Sequence, residues 1–287
     1  MNRQERLQER LREQSSPCVL CPHNCRAKRA CDEYGRCGVG SGARVASWGP
    51  HFGEEPELVG RGGSGTIFFS GCNLRCVFCQ NYDISHRAVG DDVSTSSLVK
   101  TMLSLQGLGC ANVNLVTPTH FSHEVAASVA RARKDRLQIP VVYNCGGYES
   151  VATLKLLDEY VDIWMPDVKT LDERFAEKHL NAADYPTRVR EALERMAAMQ
   201  AENVMDGQLL KRGVLVRHLV MPDMVTDSKR ILDMVAQVAP NALVNVMGQY
   251  RPVGPAYKVE PLSRRTSGEE TRLARNYASD IGLALTS

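Results

Sequence analysis

Three cysteines, Cys72, Cys76 and Cys79, stand within eight residues in the spacing C-x3-C-x2-C. Thiolates this close on one loop can hold three corners of a cubane iron–sulfur cluster, which leaves the fourth iron without a protein ligand. An open coordination position separates a reactive metal site from a closed, structural one. The same thiolates could instead contribute to a zinc site completed by a ligand from elsewhere. A second group lies nearer the start, Cys18-x2-Cys21-x3-Cys25 followed by Cys31 and Cys37. It supplies four ligands with one to spare, for structural zinc or for a second iron–sulfur cluster that feeds electrons to the first. Cys110 and Cys145 stand alone and read as small buried hydrophobes.

The rest of the composition narrows the setting of this chemistry. The chain has 287 residues, 43% hydrophobic and 24% charged, an ordinary globular balance. Lys plus Arg number 35 and Asp plus Glu 33, a formal charge of +2. That near-balance gives no electrostatic reason to expect nucleic acid or an anionic membrane as partner. No run approaches the roughly 18 apolar residues of a membrane helix. The opening MNRQERLQERLREQ is charged throughout and lacks the apolar core of a signal peptide. The expected location is therefore the cytoplasm. Thiols are kept reduced there, so ten cysteines point to metal and not to disulfides.

These groups need elements to position them. Residues 2–14 place Leu7 and Leu11 at i, i+4 among Arg, Glu and Gln, the pattern of a short amphipathic helix. From 15 to about 65 the chain is rich in Cys, Gly and Pro with little periodicity, and such a stretch needs a staple. Short apolar runs then follow at 66–69, 112–116, 140–143, 161–165, 214–220 and 242–247. Helical patterns alternate with them at 95–105, 122–134, 150–159, 185–200 and 227–238, with a last one at 268–285. Six strands separated by helices predict a parallel sheet in an α/β fold, and six are too few to close an eight-stranded barrel. An open or partial barrel is expected, with its chemistry at the carboxyl ends of the strands. Residues 1–60 are expected to form an N-terminal helix with a Cys-rich metal-binding extension, and 61–287 the catalytic core. Gly60-x-Gly62-x-x-Gly65 matches a dinucleotide fingerprint in letters only, since it precedes a strand and opens no helix.

The segment SGCNLRCVFCQNYDIS, directly after the first strand and with an aromatic residue before its last Cys, resembles the radical S-adenosylmethionine enzymes. More narrowly it is similar to proteins related to the activating enzymes of pyruvate formate-lyase, over about residues 18–282. The resemblance implies a partial (β/α)6 barrel of the radical SAM type with a Cys-rich N-terminal extension. It implies that Cys72, Cys76 and Cys79 ligate a 4Fe-4S cluster whose open iron is chelated by S-adenosylmethionine. One electron then splits the sulfonium C–S bond, and the 5′-deoxyadenosyl radical abstracts a hydrogen atom from substrate. Phe78 is expected near the adenine.

In such enzymes a Gly-Gly-Glu stretch after the second strand positions the S-adenosylmethionine amino group. Here Thr117-Pro118-Thr119-His120 stands in its place, so His120 is the candidate contact, while His123 is expected to face solvent. Asn144 falls where activases commonly carry Asp, and Asp167-Val168-Lys169 matches their Asp-x-Lys pattern. On that likeness Asn144, Asp167 and Lys169 are cofactor-binding candidates, with a monovalent cation held at Asp167. Arg217, His218, Gln249, Tyr250 and Arg251 are further polar groups expected at the barrel mouth. A related group of activase-like proteins has a similar CxLCPxxC leader, which matches Cys18, Cys21, Cys25 and Cys37 and leaves Cys31 extra. The task implied is formation of a glycyl radical on a partner protein, with a reducing donor such as flavodoxin or ferredoxin. Radical modification of a small molecule or peptide is the alternative enzyme reading, and a non-catalytic iron–sulfur electron carrier is a third.

Overall fold

The computed structural model describes residues 3–31 and 33–286; positions 1, 2, 32 and 287, with the start of the helix expected over 2–14, lie outside them. The first elements are α1 (Arg3–Ser15), β1 (Ala43–His51), α2 (Pro56–Val59), β2 (Ser64–Phe69), α3 (Tyr82–Arg87) and β3 (Asp91–Val93). Next come α4 (Thr95–Gly107), β4 (Val113–Val116), α5 (Ser122–Lys134), β5 (Val141–Cys145), α6 (Val151–Leu157), β6 (Ile163–Pro166), α7 (Glu173–Leu180) and α8 (Tyr185–Met199). The last are β7 (Val204–Asp206), β8 (Leu209–Leu219), α9 (Val225–Val238), β9 (Leu243–Met247), α10 (Gly268–Asp280) and β10 (Ala284–Leu285).

The strands form one sheet in the order β10-β9-β8-β6-β5-β4-β2-β1-β3, with β7 paired to β8. From β2 to β10 the neighbours along this path are parallel, and the six expected strands are β2, β4, β5, β6, β8 and β9. Every residue of β5 and β6 is buried, as expected where a parallel strand is covered on both faces. One face packs on the helices through Tyr143, Trp164, Val216 and Val244. The opposite face gathers Val142, Ile163, Met165 and Leu215 around Leu58 of α2. Leu58 is fully buried there, a burial that stabilises by about 2 kcal/mol. The pairing path ends at β10 and β3, so the barrel is open.

The stretch 15–65, expected to lack periodic structure, contains β1, antiparallel to β2 over six paired positions. Only Ala43 and Val45 of this strand are buried, and it carries Gly49-Pro50, so its alternation is too weak to read locally. Pairing with β2 forms it. The division expected at residue 60 falls between β1 and β2, two strands of one sheet. Helix α1 lies on α5 and α6 with Leu11 fully buried, and Tyr160 Oη donates to Gln4 O at 3.0 Å. Helix starts follow capping chemistry: Ser94 accepts from Ser97 N at α4, Asp172 from Phe175 N at α7, and Ser267 with Glu270 forms a capping box at α10. Among the described residues no helix is long and apolar enough to cross a membrane.

Candidate active site at the carboxyl edge of the sheet

Strand β2 runs into the loop Ser70–Asn81, which carries Cys72, Cys76 and Cys79. Gly71 starts the loop at φ +79°, where a Cβ would lie 2.6 Å from Cys37 O and 2.9 Å from Val39. Only glycine suits that conformation and that approach. The three thiols share one electrostatic neighbourhood. Burial, then Cys76 and Cys79, push the Cys72 thiol well up. Burial pushes Cys76 up to about 12 despite nearby Lys169. As separate thiolates these groups are costly, and a cationic metal cluster supplies the positive charge they lack. Among the described residues no three such side chains already converge on a single ion. A cubane does not require this, because each thiolate binds a different iron. The donor set fits such a cluster.

The cysteines border a cavity of about 520 Å³ also lined by Phe78, Thr117, Asn144, Asp167, Lys169 and Arg217. That volume lies in the range of small-molecule and cofactor sites. Phe78 is buried, 6.1 Å from the Phe175 ring and 6.4 Å from that of Tyr250. Asp167, at the end of β6, accepts from Lys169 Nζ and Arg217 Nε, both at 2.8 Å. Burial raises the Asp167 carboxyl, but Arg217 and Lys169 outweigh it and hold it at about 2. Arg217 Nη2 also donates to Asn144 Oδ1 at 2.7 Å. The Arg217 guanidinium thus lies between Asn144 and Asp167 and bonds to both. Tyr185 Oη accepts from Lys169 N and lies 2.9 Å from the carbonyls of Gly146 and Asp167, which ties the β5 and β6 exits together. Gly147 permits this, since a Cβ there would come within 2.5 Å of Asp167 O.

Other candidates sit elsewhere. The His120 ring is buried behind the cysteine loop with Nε2 2.9 Å from Ser70 O. Burial lowers its pKa to about 3, so it is neutral, and Thr117, at φ +60°, lines the cavity instead. His123, expected to face solvent, is buried, with Nε2 3.2 Å from Ser41 O of the leader segment. Its environment was misread because the helix face that carries it is covered by residues some eighty positions away. His218 is also buried, held between Val168 O and Ser228 Oγ, and Gln249, Tyr250 and Arg251 border the cavity. Cys145 lines the cavity but shares a hydrogen bond with Glu149.

Sequence reasoning missed a second cavity, of about 380 Å³, that shares Arg217, Met247 and Gln249 with the first. Glu54 and Glu55 line it. Glu54 stands 3.5 Å from Arg217 Nη1. Glu55 Oε1 accepts from Asn245 at 2.9 Å, while its buried Oε2 has no hydrogen-bond partner among the described residues. No local signal marks these residues, which are brought to the sheet by the β1 pairing and by the packing of α2.

An open parallel half-barrel with three thiols on the loop after its first parallel strand defines a class of metal-dependent enzymes. Residues 66–223 match the radical SAM superfamily, and the chain belongs to that superfamily. It is 30% identical over 276 residues to an uncharacterised protein of Methanocaldococcus jannaschii, covering 93% of this chain and 76% of that protein. Among solved structures it is similar to Streptococcus suis SuiB bound to S-adenosylmethionine, with TM-score 0.51 and 12% identity over 75% of this chain. It also matches TsrM, a radical S-adenosylmethionine methyltransferase of Kitasatospora setae, with TM-score 0.48 and 15% identity over 64% of this chain. The chain spans 47% and 36% of those two structures, and the SuiB likeness is one of fold.

Proposed function

We propose that this chain binds a 4Fe-4S cluster through Cys72, Cys76 and Cys79 and cleaves S-adenosylmethionine reductively in the cavity they border. The observation that supports this most is the opening of the three-thiol loop onto one cavity, opposite the Asp167–Arg217–Asn144 network. When bound, the reduced cluster supplies the electron that splits the sulfonium C–S bond, giving methionine and a 5′-deoxyadenosyl radical that takes hydrogen from substrate. The protein's own part is placement. Lys169 and Arg217 present positive charge for a carboxylate. Phe78 and Tyr250 offer aromatic surface for a base. The apolar lining around Leu74 and Leu219 excludes water from a reactive radical.

The test is the electron paramagnetic resonance spectrum of the anaerobically reduced protein with and without S-adenosylmethionine. A changed cluster signal on addition is expected, and an unchanged one would overturn the reading. For the substrate, the likeness of residues 70–85 to activating enzymes supports hydrogen abstraction from a glycine of a partner protein. Incubation with a glycyl-radical-type protein should then give it a stable radical signal. The second cavity supports a small polar substrate instead, since it shares Arg217 with the first and is lined by Glu55, whose buried Oε2 has no hydrogen-bond partner among the described residues. That reading predicts 5′-deoxyadenosine formation stimulated by a metabolite and indifferent to any partner protein. In either case electrons come from a low-potential donor such as flavodoxin or ferredoxin.

A further inference from the structure

Residues 16–42 run across the site, and among the described ones the regular structure is one three-residue helical turn, Arg29–Cys31. Within them Arg29 is fully buried. Its guanidinium donates to the carbonyls of Gly40 and His120 and lies 5.5 Å over the Phe121 ring. These acceptors are neutral, and a buried cation requires an opposing charge. Its closest candidates for one are thiols: the Cys18 sulfur shares a hydrogen bond with it, and Cys37 feels its charge.

Four sulfurs gather on that side. Cys18 and Cys37 are buried, and Cys21 and Cys25 partly so. A Cβ placed on Gly35 would touch both Cys37 Sγ at 3.2 Å and Cys25 Sγ at 3.4 Å. Cys25 is hydrogen-bonded to Cys18, and Cys21 lies in the field of Cys18 and Cys37. Both neighbours of Cys25, Asn24 and Arg26, hold left-handed backbone at φ 45° and 57°. Two such residues on either side of one cysteine are strained positions that the surrounding structure must hold. Cys31 differs, because its side chain is exposed.

We infer that Cys18, Cys21, Cys25 and Cys37 hold a thiophilic metal centre as four thiolates, with Arg29 as its buried counter-cation and Cys31 outside it. Four thiolates outweigh a divalent zinc, and an all-cysteine iron–sulfur cluster is likewise net negative, so either centre supplies the charge that Arg29 lacks. Among the described residues the sulfurs do not converge on a single ion, and a four-thiolate centre requires the thiols to turn inward on loading. The centre also fixes the catalytic loop. Cys37 O accepts from Cys72 N at 3.2 Å, and His23 Nε2 meets Asn73 O at 2.7 Å. This inference does not depend on the reaction at the core.

The experiment is a metal count on the full chain in which Cys72, Cys76 and Cys79 are all replaced by Ser. The protein is purified anaerobically and offered iron with sulfide, or zinc, in separate samples. We expect about one zinc or about four iron per chain to remain. Adding Cys21→Ser should abolish this, and adding Cys31→Ser should leave it. Iron with a cluster spectrum marks an electron relay and zinc a staple; both support a thiolate centre, and absence of both metals overturns it. Should the triple variant fail to fold, the wild-type count decides, since metal confined to a single cluster overturns the inference equally. Arg29→Gln keeps donors for the two carbonyls but loses the charge. A chelator should strip its leader metal roughly tenfold faster or more, and an unchanged rate would remove Arg29 from the counter-cation role.

Discussion

Arg217 Nε donates to Asp167 Oδ1 at 2.8 Å across fifty residues of sequence, and the same guanidinium reaches Asn144 Oδ1 at 2.7 Å. One side chain of β8 thereby joins the exits of β5 and β6 at the place where the cofactor's carboxylate is proposed to lie. Arg217→Met leaves Asp167 with Lys169 alone and removes the cation beside Glu54. Breaking a partly buried pair in this way should cost roughly 3 kcal/mol in chemical denaturation. S-adenosylmethionine affinity, read by calorimetry, should fall roughly tenfold or more, about 1.4 kcal/mol. Arg217→Lys should recover part of the stability and little of the binding, because a single ammonium cannot serve both oxygens. A variant with unchanged affinity would place the carboxylate elsewhere.

Glu149 gives the fold a pH dependence. It is buried, accepts from Thr119 Oγ1 at 2.7 Å and Tyr143 Oη at 3.3 Å, and is raised by burial from 4.5 to about 8. Below pH about 4.5 the carboxyl is protonated in both folded and unfolded chains. Between that pH and about 8 only the folded chain keeps the proton, so stability falls as pH rises. At about 1.4 kcal/mol per pH unit, the whole loss is roughly 5 kcal/mol. Glu149→Gln should flatten this slope and exceed the wild type in stability at pH 9. Parallel denaturation profiles for the two proteins from pH 5 to 9 would contradict the assignment.

Much of this architecture is legible in the sequence because burial on both faces writes itself as apolar runs. Val141-Val142-Tyr143 and Ile163-Trp164-Met165 announce strands, and the likeness to activating enzymes marks Asn144 and Asp167 at their ends as candidates. The cysteine loop is legible because metal ligands need close spacing. What could not be read depends on register between distant segments. The single bridge Asp167–Arg217 sets which residue of β8 faces the carboxylate. Glu54 and Glu55 approach the barrel through the pairing of β1 with β2 and the packing of α2 on the sheet, and His120 meets Ser70 O behind the cysteine loop.

Gly71 tests whether the leader and the catalytic loop must pack this closely. An alanine there meets Cys37 O at 2.6 Å and must hold φ +79°. The clash cannot be relieved by a side chain, because the opposing atom is backbone. Gly71→Ala should displace the loop, lower cluster content after reconstitution by more than half, and cost roughly 2 kcal/mol. The far-UV circular dichroism should remain that of the wild type, since β2 ends before the loop. Full cluster content in this variant would mean that Cys72 does not need Cys37 to position it.

Ser85 offers a test of Cys79 as ligand that leaves the ligand itself in place. Its Oγ donates to Cys79 Sγ at 3.2 Å, while His86 Nδ1, 2.8 Å away, completes the hydroxyl's coordination. A hydrogen bond to a cluster thiolate favours the reduced, more negative state and raises the reduction potential. Ser85→Ala removes the donor without adding bulk. Iron content should match the wild type, while the midpoint potential, followed by electron paramagnetic resonance in a redox titration, should become more negative. At a fixed donor potential the fraction of protein reduced should fall, while each reduced cluster gives up its electron at least as readily as in the wild type. A potential identical to that of the wild type would mean that Ser85 does not donate to a cluster thiolate.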